Sequence, residues 1–198
     1  MDKKRLIVAI AGASGVIYGI RLLEALRSVV EVETHLVLSQ AGAQTIGLET
    51  DYTVEQVEAL ADVNYRFRDI AAAIASGSFK TYGMVVIPCT VKTLAGIAHS
   101  YSDNLILRAA DVVLKDRRRL VLVLRETPLH LGHLRLMAQV TEMGAIVAPP
   151  MPAFYHRPQT LDDLINQTVN RVLDLLDIEL PQDLFTRWAG GSKAGRDG

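Results

Sequence analysis

Short apolar runs alternate with longer amphipathic stretches along most of the chain, and this alternation restricts the fold more than any other feature of the sequence. The apolar runs have the length and composition of β-strands. Five strands are predicted: Leu6–Ala11, Val32–Leu38, Met84–Pro88, Leu120–Leu124 and Ala145–Ala148. The first, third and fourth runs are almost continuously apolar, which indicates parallel strands that are covered on both faces.

The stretches between the strands carry apolar residues at helical spacing. Five helices are predicted: Val16–Val29, Ala41–Glu49, Asp103–Lys115, Leu131–Met143 and Leu161–Leu176. Alternating strands and helices predict right-handed crossovers and hence an α/β fold with a doubly wound parallel sheet. A chain of 198 residues suits one such domain, which we expect over 1–188, followed by a disordered tail over 189–198.

Composition argues against several classes of function. The net charge of −1 gives no reason to expect a nucleic-acid partner or an anionic membrane. No apolar segment approaches the length that spans a bilayer, and the apolar part of the N-terminal region is too short for a signal peptide, so a cytoplasmic protein is expected. The single cysteine, Cys89, rules out an intramolecular disulfide and a cysteine-rich zinc site.

The turn after the first predicted strand has the composition of a phosphate-binding site. Gly12-Ala13-Ser14-Gly15 opens a helix, whose free N–H groups and dipole favour an anion. The glycine spacing differs from that of dinucleotide sites, and Ser39 follows the second strand where those sites carry an acidic residue. These departures argue against NAD and favour a mononucleotide, with an ordinary helix cap as the alternative interpretation.

Polar residues also follow the third and fourth predicted strands, at the edge where parallel sheets bind ligands. The turn Thr90-Val91-Lys92-Thr93 offers hydroxyls and backbone N–H groups, although helix capping accounts for it equally well. Arg125 is suited to a bidentate phosphate contact, and the adjacent Glu126 can exchange a proton. Cys89 is interpreted as a small buried residue and not as a nucleophile.

A proline-rich loop follows the fifth predicted strand and is expected to be rigid and extended. It presents Tyr155, His156 and Arg157, for which packing and ordinary loop hydrogen bonds are the simpler interpretation. His130 and His133 would share a helix face, but no third ligand stands at a convincing spacing, so no metal site is expected.

Together these motifs resemble those of the flavin prenyltransferases of the UbiX type, over nearly the whole chain to about Trp188. The segments that carry the resemblance are GASG at 12–15, ASGSF at 75–79, PCTVKTLAGIAHSYSDNLILRAADVVLK at 88–115, RRLVLVLRETPLHLGHL at 118–134 and PPMPAFYHRPQTLDDL at 149–164. The chain looks most similar to the members associated with phenolic-acid decarboxylases. The resemblance implies a flavodoxin-like or Rossmann-like fold.

The resemblance also implies an activity. The family binds reduced flavin mononucleotide (FMN) and joins a dimethylallyl group, taken from dimethylallyl phosphate, to N5 and C6 of the flavin without a metal. The product, prenylated FMN, is delivered to UbiD-type decarboxylases. The family further implies a large homo-oligomer, a dodecamer, with sites at subunit interfaces, where Trp188 is considered as a cap.

Residue roles follow from the matching motifs as part of the resemblance. FMN would be held by Gly12, Ala13, Ser14, Ser39, Thr90, Val91, Lys92, Thr93 and Arg125. Dimethylallyl phosphate would be held by Arg108, Lys115, Arg125, Tyr155 and Arg171. The catalytic residues would be Glu49, Glu126, Ser14 and Lys115. Either Glu126 or the released phosphate would take the final proton.

The chain departs from the family pattern at two places. Arg135-Leu136 replaces an expected Glu-Asn pair, which puts helix packing or a subunit contact in doubt, and Thr90 replaces a serine while keeping the hydroxyl. Two other functions stay open, a non-enzymatic FMN-binding or regulatory subunit and an FMN-dependent cysteine decarboxylase. The segment 149–155 lacks the asparagine-containing loop of the cysteine decarboxylases, which counts against them.

Overall fold

A computed structural model describes residues 3–188 and 190 and contains one parallel sheet of six strands. The strands are β1 (Lys4–Ile10), β2 (Val32–Leu38), β3 (Val63–Tyr65), β4 (Gly83–Cys89), β5 (Arg119–Leu124) and β6 (Ile146–Val147). Their spatial order is β3-β2-β1-β4-β5-β6, and every neighbouring pair is parallel. The predicted doubly wound α/β fold is confirmed. The predicted disordered tail, 189–198, lies outside the described residues apart from Gly190.

Helices cover both faces of this sheet. They are α1 (Val16–Leu26), α2 (Gln40–Glu49), α3 (Val54–Glu58), α4 (Val91–Ala98), α5 (Leu105–Lys115), α6 (Leu131–Glu142) and α7 (Leu161–Leu175). Apolar residues of α1, α2, α3 and α7 form the core on one face, and those of α4, α5 and α6 form the core on the other. Within the part of the chain that the structure describes, none of the helices combines the length and apolar character of a membrane span.

The central strands are buried on both sides, as their continuous apolar sequences predict. Along β1, Leu6, Val8 and Ile10 point into one core, while Ile7 and Ala9 point into the other. All five of these side chains are fully buried. A parallel strand between two helical layers has no polar face, which is why the run shows no alternation.

The structure has one strand, β3, and two helices, α3 and α4, that are not among the predicted elements, although a helix cap at Thr90 was considered for the start of α4. Both β3 and α3 lie in the segment 51–82, which is more polar than the rest of the domain. The strand has only three residues, all partly or fully exposed at the sheet edge, so it lacks an apolar signal. The start of α3 does carry a signal, because Thr53 and Gln56 form a reciprocal capping box.

Strand order reverses between β1 and β4, and this position determines where a ligand can bind. The chain leaves β1 toward β2 and β3 on one side, then returns to pair β4 with the other side of β1. The connections therefore diverge above the carboxyl ends of β1 and β4 and leave a crevice there. In doubly wound sheets this crevice is the general ligand site.

Candidate functional site

A cleft of about 470 Å³ lies at the reversal point, above the carboxyl ends of β1, β2 and β4. Its volume falls within the range of small-molecule sites. The lining residues are Ala11, Gly12, Ser39, Gln40, Ala41, Gln44, Phe67, Arg68, Thr90, Lys92, Thr93, Asn104, Ile106 and Leu107. Five of the residues predicted to hold FMN, from three separate turns, are therefore brought together around one cleft.

The turn between β1 and α1 is held close to the start of α2, and this contact requires glycine at position 12. A Cβ atom built on Gly12 would overlap the Ala41 side chain and lie 2.8 Å from the Ala41 carbonyl carbon. Gly15, with a φ of 96°, adopts the left-handed conformation just before α1. The backbone N–H of Gly15 donates to Oε2 of Glu49 at 2.8 Å, so the predicted catalytic carboxylate lies against the Ser14 turn.

Two predicted cofactor residues cap the helices that begin at the cleft. The Ser39 hydroxyl accepts from the N–H of Gly42 at 2.9 Å at the start of α2. The Thr90 hydroxyl accepts from the N–H of Thr93 at 3.0 Å at the start of α4. Both hydroxyls therefore act as helix caps and also line the cleft; of these two turns, capping was the alternative interpretation for the Thr90 turn only. The two interpretations do not exclude each other.

Several helix N-termini converge on this edge of the sheet. α1, α2 and α4 begin in the turns after β1, β2 and β4. α5 begins just after its N-cap residue, Asn104, whose Oδ1 accepts from the N–H of Leu107 at 3.1 Å. Each N-terminus carries a partial positive charge and free N–H groups. The cleft is therefore polarised to favour an anionic group such as a phosphate.

The end of β5 brings Arg125 and Glu126 to the same edge as the cleft. The N–H of Arg125 donates to the carbonyl of Cys89 at 3.0 Å, which fixes this turn beside the end of β4. Both side chains are exposed, and Oε1 of Glu126 accepts from the N–H of Thr127 at 3.0 Å. Burial raises the pKa of the Cys89 thiol to about 12, so the thiol stays protonated and is a poor nucleophile.

Tyr155 lies in an aromatic cluster formed by the loop after β6 and the segment after α7. Its ring centroid is 5.6 Å from that of His156, 6.5 Å from Phe185 and 6.1 Å from Trp188. Its hydroxyl oxygen accepts a hydrogen bond from Nε2 of Gln167 at 3.3 Å. Tyr155 does not line the cleft of its own chain.

Comparison with known proteins gives consistent results. The family model Flavoprotein matches residues 1–173. Flavin prenyltransferase UbiX of Escherichia coli (strain K12) is 68% identical over 187 residues, which cover 94% of this chain and 99% of the relative. The crystal structure of AnUbiX (PadA1) in complex with FMN and dimethylallyl pyrophosphate is 50% identical, covers 96% of this chain and 100% of that one, and superposes with a TM-score of 0.91.

The chain belongs to the UbiX-type flavin prenyltransferases of the Flavoprotein family. The family resemblance and the flavodoxin-like fold predicted from the sequence are thereby confirmed. A dodecameric FMN-dependent UbiX-like decarboxylase from Escherichia coli O157:H7 has a TM-score of 0.91 at 52% identity, and covers 94% of this chain and 100% of that one.

Three residues assigned to the prenyl donor by the family pattern are not among the residues that line the cleft of their own chain. α5 starts at the cleft and runs back under the sheet for 11 residues, so Lys115 reaches the opposite edge, where Nζ pairs with Asp116 at 2.8 Å. Arg108 is nearer the start of the same helix, one residue after the cleft-lining Leu107, and its Nε donates to the Ala75 carbonyl at 3.1 Å. Arg171 is exposed on α7 and lies 3.4 Å from Asp174. Their assignment to the donor stays a prediction.

Sequence reasoning missed part of the cleft wall. The residues not foreseen are Ala11, Gln40, Ala41, Gln44, Phe67, Arg68, Asn104, Ile106 and Leu107. Asn104 had a detectable signal, since an asparagine before an apolar helical run is a typical N-cap. Phe67 and Arg68 follow the short strand β3 and had none.

The histidine pair near the start of α6 is part of a helix cap. Nδ1 of His130 accepts from the N–H groups of Gly132 and His133 at 3.0 and 3.4 Å, and the two imidazole rings lie 3.6 Å apart. Across 3–188 and 190, no group of three or more potential metal-ligating side chains occurs.

Proposed function

We propose that this protein transfers a dimethylallyl group from dimethylallyl phosphate to N5 and C6 of reduced FMN, which yields prenylated FMN and inorganic phosphate. The observation that supports this most strongly is the cleft at the strand-order reversal. It collects Gly12, Ser39 and the Thr90–Thr93 turn in a chain that is 68% identical to a flavin prenyltransferase.

The chemistry of the cleft wall fits a flavin mononucleotide. Helix N-termini, hydroxyls and Lys92 provide donors and positive charge for the phosphate and ribityl groups. Phe67, Ile106 and Leu107 provide an apolar surface for the planar ring system. No acidic residue is among the cleft-lining residues, which suits an anionic ligand.

Reduced FMN supplies the nucleophilic atoms of the reaction, and the side chains of the protein manage charge and protons. As the allylic carbon–oxygen bond breaks, negative charge accumulates on the leaving phosphate. Arg125, Lys115 and Arg171 would stabilise that charge, and proximity over the flavin would favour transfer. Transfer to N5 would release the N5 proton, which the departing phosphate can take up. Ring closure would add one proton to the prenyl double bond and remove one from C6, and Glu126 and Glu49 are the candidate carboxylates for these transfers, because each has an oxygen at the edge where the cleft opens.

We infer that neighbouring chains complete the site. Lys115, Tyr155 and Arg171 do not line the cleft of their own chain, and a homologous UbiX-like protein is dodecameric. The chain also exposes large apolar side chains that an assembly would cover: Leu129, Leu131, Leu134, Met151, Phe154, Leu161 and Trp188. A cytoplasmic location, with a UbiD-type decarboxylase receiving the product, completes the proposal.

Phosphate release provides a direct test of the transfer. Purified protein, reduced FMN and dimethylallyl phosphate are incubated without oxygen, and inorganic phosphate is measured against added FMN. One phosphate per FMN is expected with reduced flavin and none with oxidised flavin. Phosphate release that is independent of the flavin redox state would identify a phosphatase and refute the proposal.

Co-assembly of two inactive chains tests the shared site. In the proposed shared site, Glu49 comes from one chain and Lys115 from a neighbouring chain. Glu49→Gln removes the first of these residues and Lys115→Ala removes the second. Mixed oligomers of the two variants should recover part of the activity, because some sites then contain both intact residues. Oligomers of either variant alone serve as controls, and no recovery in verified mixed oligomers would contradict the assignment.

A further inference from the structure

Tyr155 is a half-exposed residue whose side chain is nevertheless held at both ends. Its relative exposure is 49%, yet three aromatic rings surround its own ring. Its hydroxyl oxygen is fixed by the amide of Gln167. Packing alone does not require a partly exposed tyrosine to be fixed at its tip, so this restraint indicates that the direction of the hydroxyl matters.

Gln167 is a buried polar residue on α7. It is 7% exposed, and its neighbours on the same helix face, three and four positions away, are Asp163, Leu164, Asn170 and Arg171. Burying an amide is unfavourable unless it forms hydrogen bonds, and an apolar residue would fill the same position without that cost. The contact from Nε2 to the Tyr155 hydroxyl gives the amide a specific partner.

The polarity of this hydrogen bond determines what the tyrosine can do. A phenol has one O–H hydrogen and lone pairs on its oxygen. Because the Gln167 amide donates, it occupies a lone pair and leaves the O–H hydrogen of Tyr155 free. That hydrogen can then donate to an anionic acceptor on the exposed side of the ring, with a charge-assisted hydrogen bond.

We propose that Gln167 is a positioning residue that orients the Tyr155 hydroxyl as a hydrogen-bond donor to the phosphate group of the prenyl donor. The inference rests on the proposed function, in which Tyr155 contacts that phosphate. His156 supports the arrangement as a packing residue, since both of its ring nitrogens are buried and have no hydrogen-bond partner among the described residues.

Two substitutions distinguish the effect of the Gln167 amide as a hydrogen-bond donor from the effect of the space that its side chain fills. Gln167→Met keeps the length of the side chain but removes the amide donor. Gln167→Glu replaces the donor with an acceptor, which would capture the Tyr155 hydrogen and add a negative charge. Binding of dimethylallyl phosphate is measured by calorimetry on assembled protein loaded with oxidised FMN, where no transfer occurs.

The expected order of affinity is wild type, then Gln167→Met, then Gln167→Glu. Loss of one oriented hydrogen bond should raise the Kd of Gln167→Met by about 2- to 10-fold, and Gln167→Glu should be weaker still. With reduced FMN, KM should rise by a similar factor while kcat changes little. A Kd for Gln167→Met equal to that of wild type would overturn the inference.

A double-mutant cycle excludes a purely structural effect. If Gln167 acts through the hydroxyl, adding Gln167→Met to Tyr155→Phe should cause no further loss, whereas additive losses would overturn the inference. Thr168→Val is the matched control, because Thr168 is a buried neighbour on α7 whose hydroxyl donates to the Leu164 carbonyl. If wild-type protein binds dimethylallyl phosphate but releases no inorganic phosphate, the proposed function is contradicted. The role of Gln167 is then still decided by the Kd values of the wild type and the two Gln167 variants.

Discussion

A methyl group added at Gly12 should separate the β1–α1 turn from the start of α2, and both of these elements line the cleft. The added Cβ would overlap the Ala41 side chain and lie 2.8 Å from the Ala41 carbonyl carbon and 3.0 Å from its Cα. The atoms in the way are largely backbone, which cannot move aside as the end of a flexible side chain can. Overpacking of this kind costs about 1–3 kcal/mol.

Gly47→Ala provides the matched control on the same helix. Gly47 lies inside α2, is exposed, and a Cβ built there meets nothing within 4 Å. Alanine in an exposed helix interior is more favourable than glycine by about 0.5–1 kcal/mol, so this variant should gain stability. The same chemical change is therefore predicted to have opposite signs at two positions.

Thermal unfolding and FMN titration measure the two effects. For a chain of this size, the predicted cost at Gly12 corresponds to a fall in Tm of about 2–12 °C, and Gly47→Ala should raise Tm slightly. Gly12→Ala should also bind FMN more weakly, because the turn that lines the cleft has moved, while Gly47→Ala should bind it normally. If Gly12→Ala has the stability and FMN affinity of wild type, the close contact with Ala41 does not shape the site.

Three further outcomes follow from contacts elsewhere in the structure. Cys89 should resist alkylation in the folded protein at pH 8, because burial raises the pKa of its thiol to about 12. Intact-mass analysis should show the alkylated protein only after unfolding, and rapid alkylation of the folded protein would contradict the burial of Cys89. Burial alone would raise the pKa of Asp62, but hydrogen bonds from Thr34 lower it below its ordinary value. The Asp62 carboxylate should therefore contribute fully to stability above its pKa in the unfolded chain, which is about 3.9. That contribution should be lost as the pH falls through the lower pKa of the folded protein. In urea denaturation at a series of pH values, the free energy of unfolding of Asp62→Asn should fall less at acid pH than that of the wild type. An equal fall in both proteins would contradict this. Tyr52→Phe removes a 2.6 Å hydrogen bond to Glu24 and should cost about 0.5–1.5 kcal/mol in urea unfolding, which a wild-type midpoint would refute.

The interior of the sheet could be predicted because burial on two faces leaves a strong mark on the sequence. β2 has the predicted bounds, and the other four predicted strands are correct to within two residues at each end. The edge strand β3 could not be found, since its residues are partly or fully exposed and its position depends on pairing with β2 and not on its own composition.

The polar turns of the site could be predicted for a similar reason. Parallel strands deliver their carboxyl ends to one edge, so residues such as Gly12, Ser39 and Thr90 had to meet there. Contacts made across the fold left no local pattern. Phe67 and Arg68 reach the cleft through a short irregular segment, and the amide of Gln167 reaches Tyr155 across 12 positions of sequence.

The position of Lys115 illustrates what a motif alone leaves undetermined. The family pattern assigns it to the prenyl donor, but the direction of α5 carries it to the far edge of the sheet within its own chain. Only the arrangement of several chains can relate that edge to a cleft. The motif predicts that Lys115 takes part, but it does not indicate which chain of an assembly would supply the residue.

The mass of the flavin after reaction shows whether a prenyl group has been transferred to it. The protein is incubated without oxygen with reduced FMN and dimethylallyl phosphate, and the flavin is extracted and weighed by mass spectrometry. A flavin heavier than FMN by one C5H8 unit is expected, and it should be absent when dimethylallyl phosphate is omitted. Unmodified FMN recovered from folded, assembled and flavin-loaded protein would contradict prenyl transfer and favour a flavin-carrying or regulatory role.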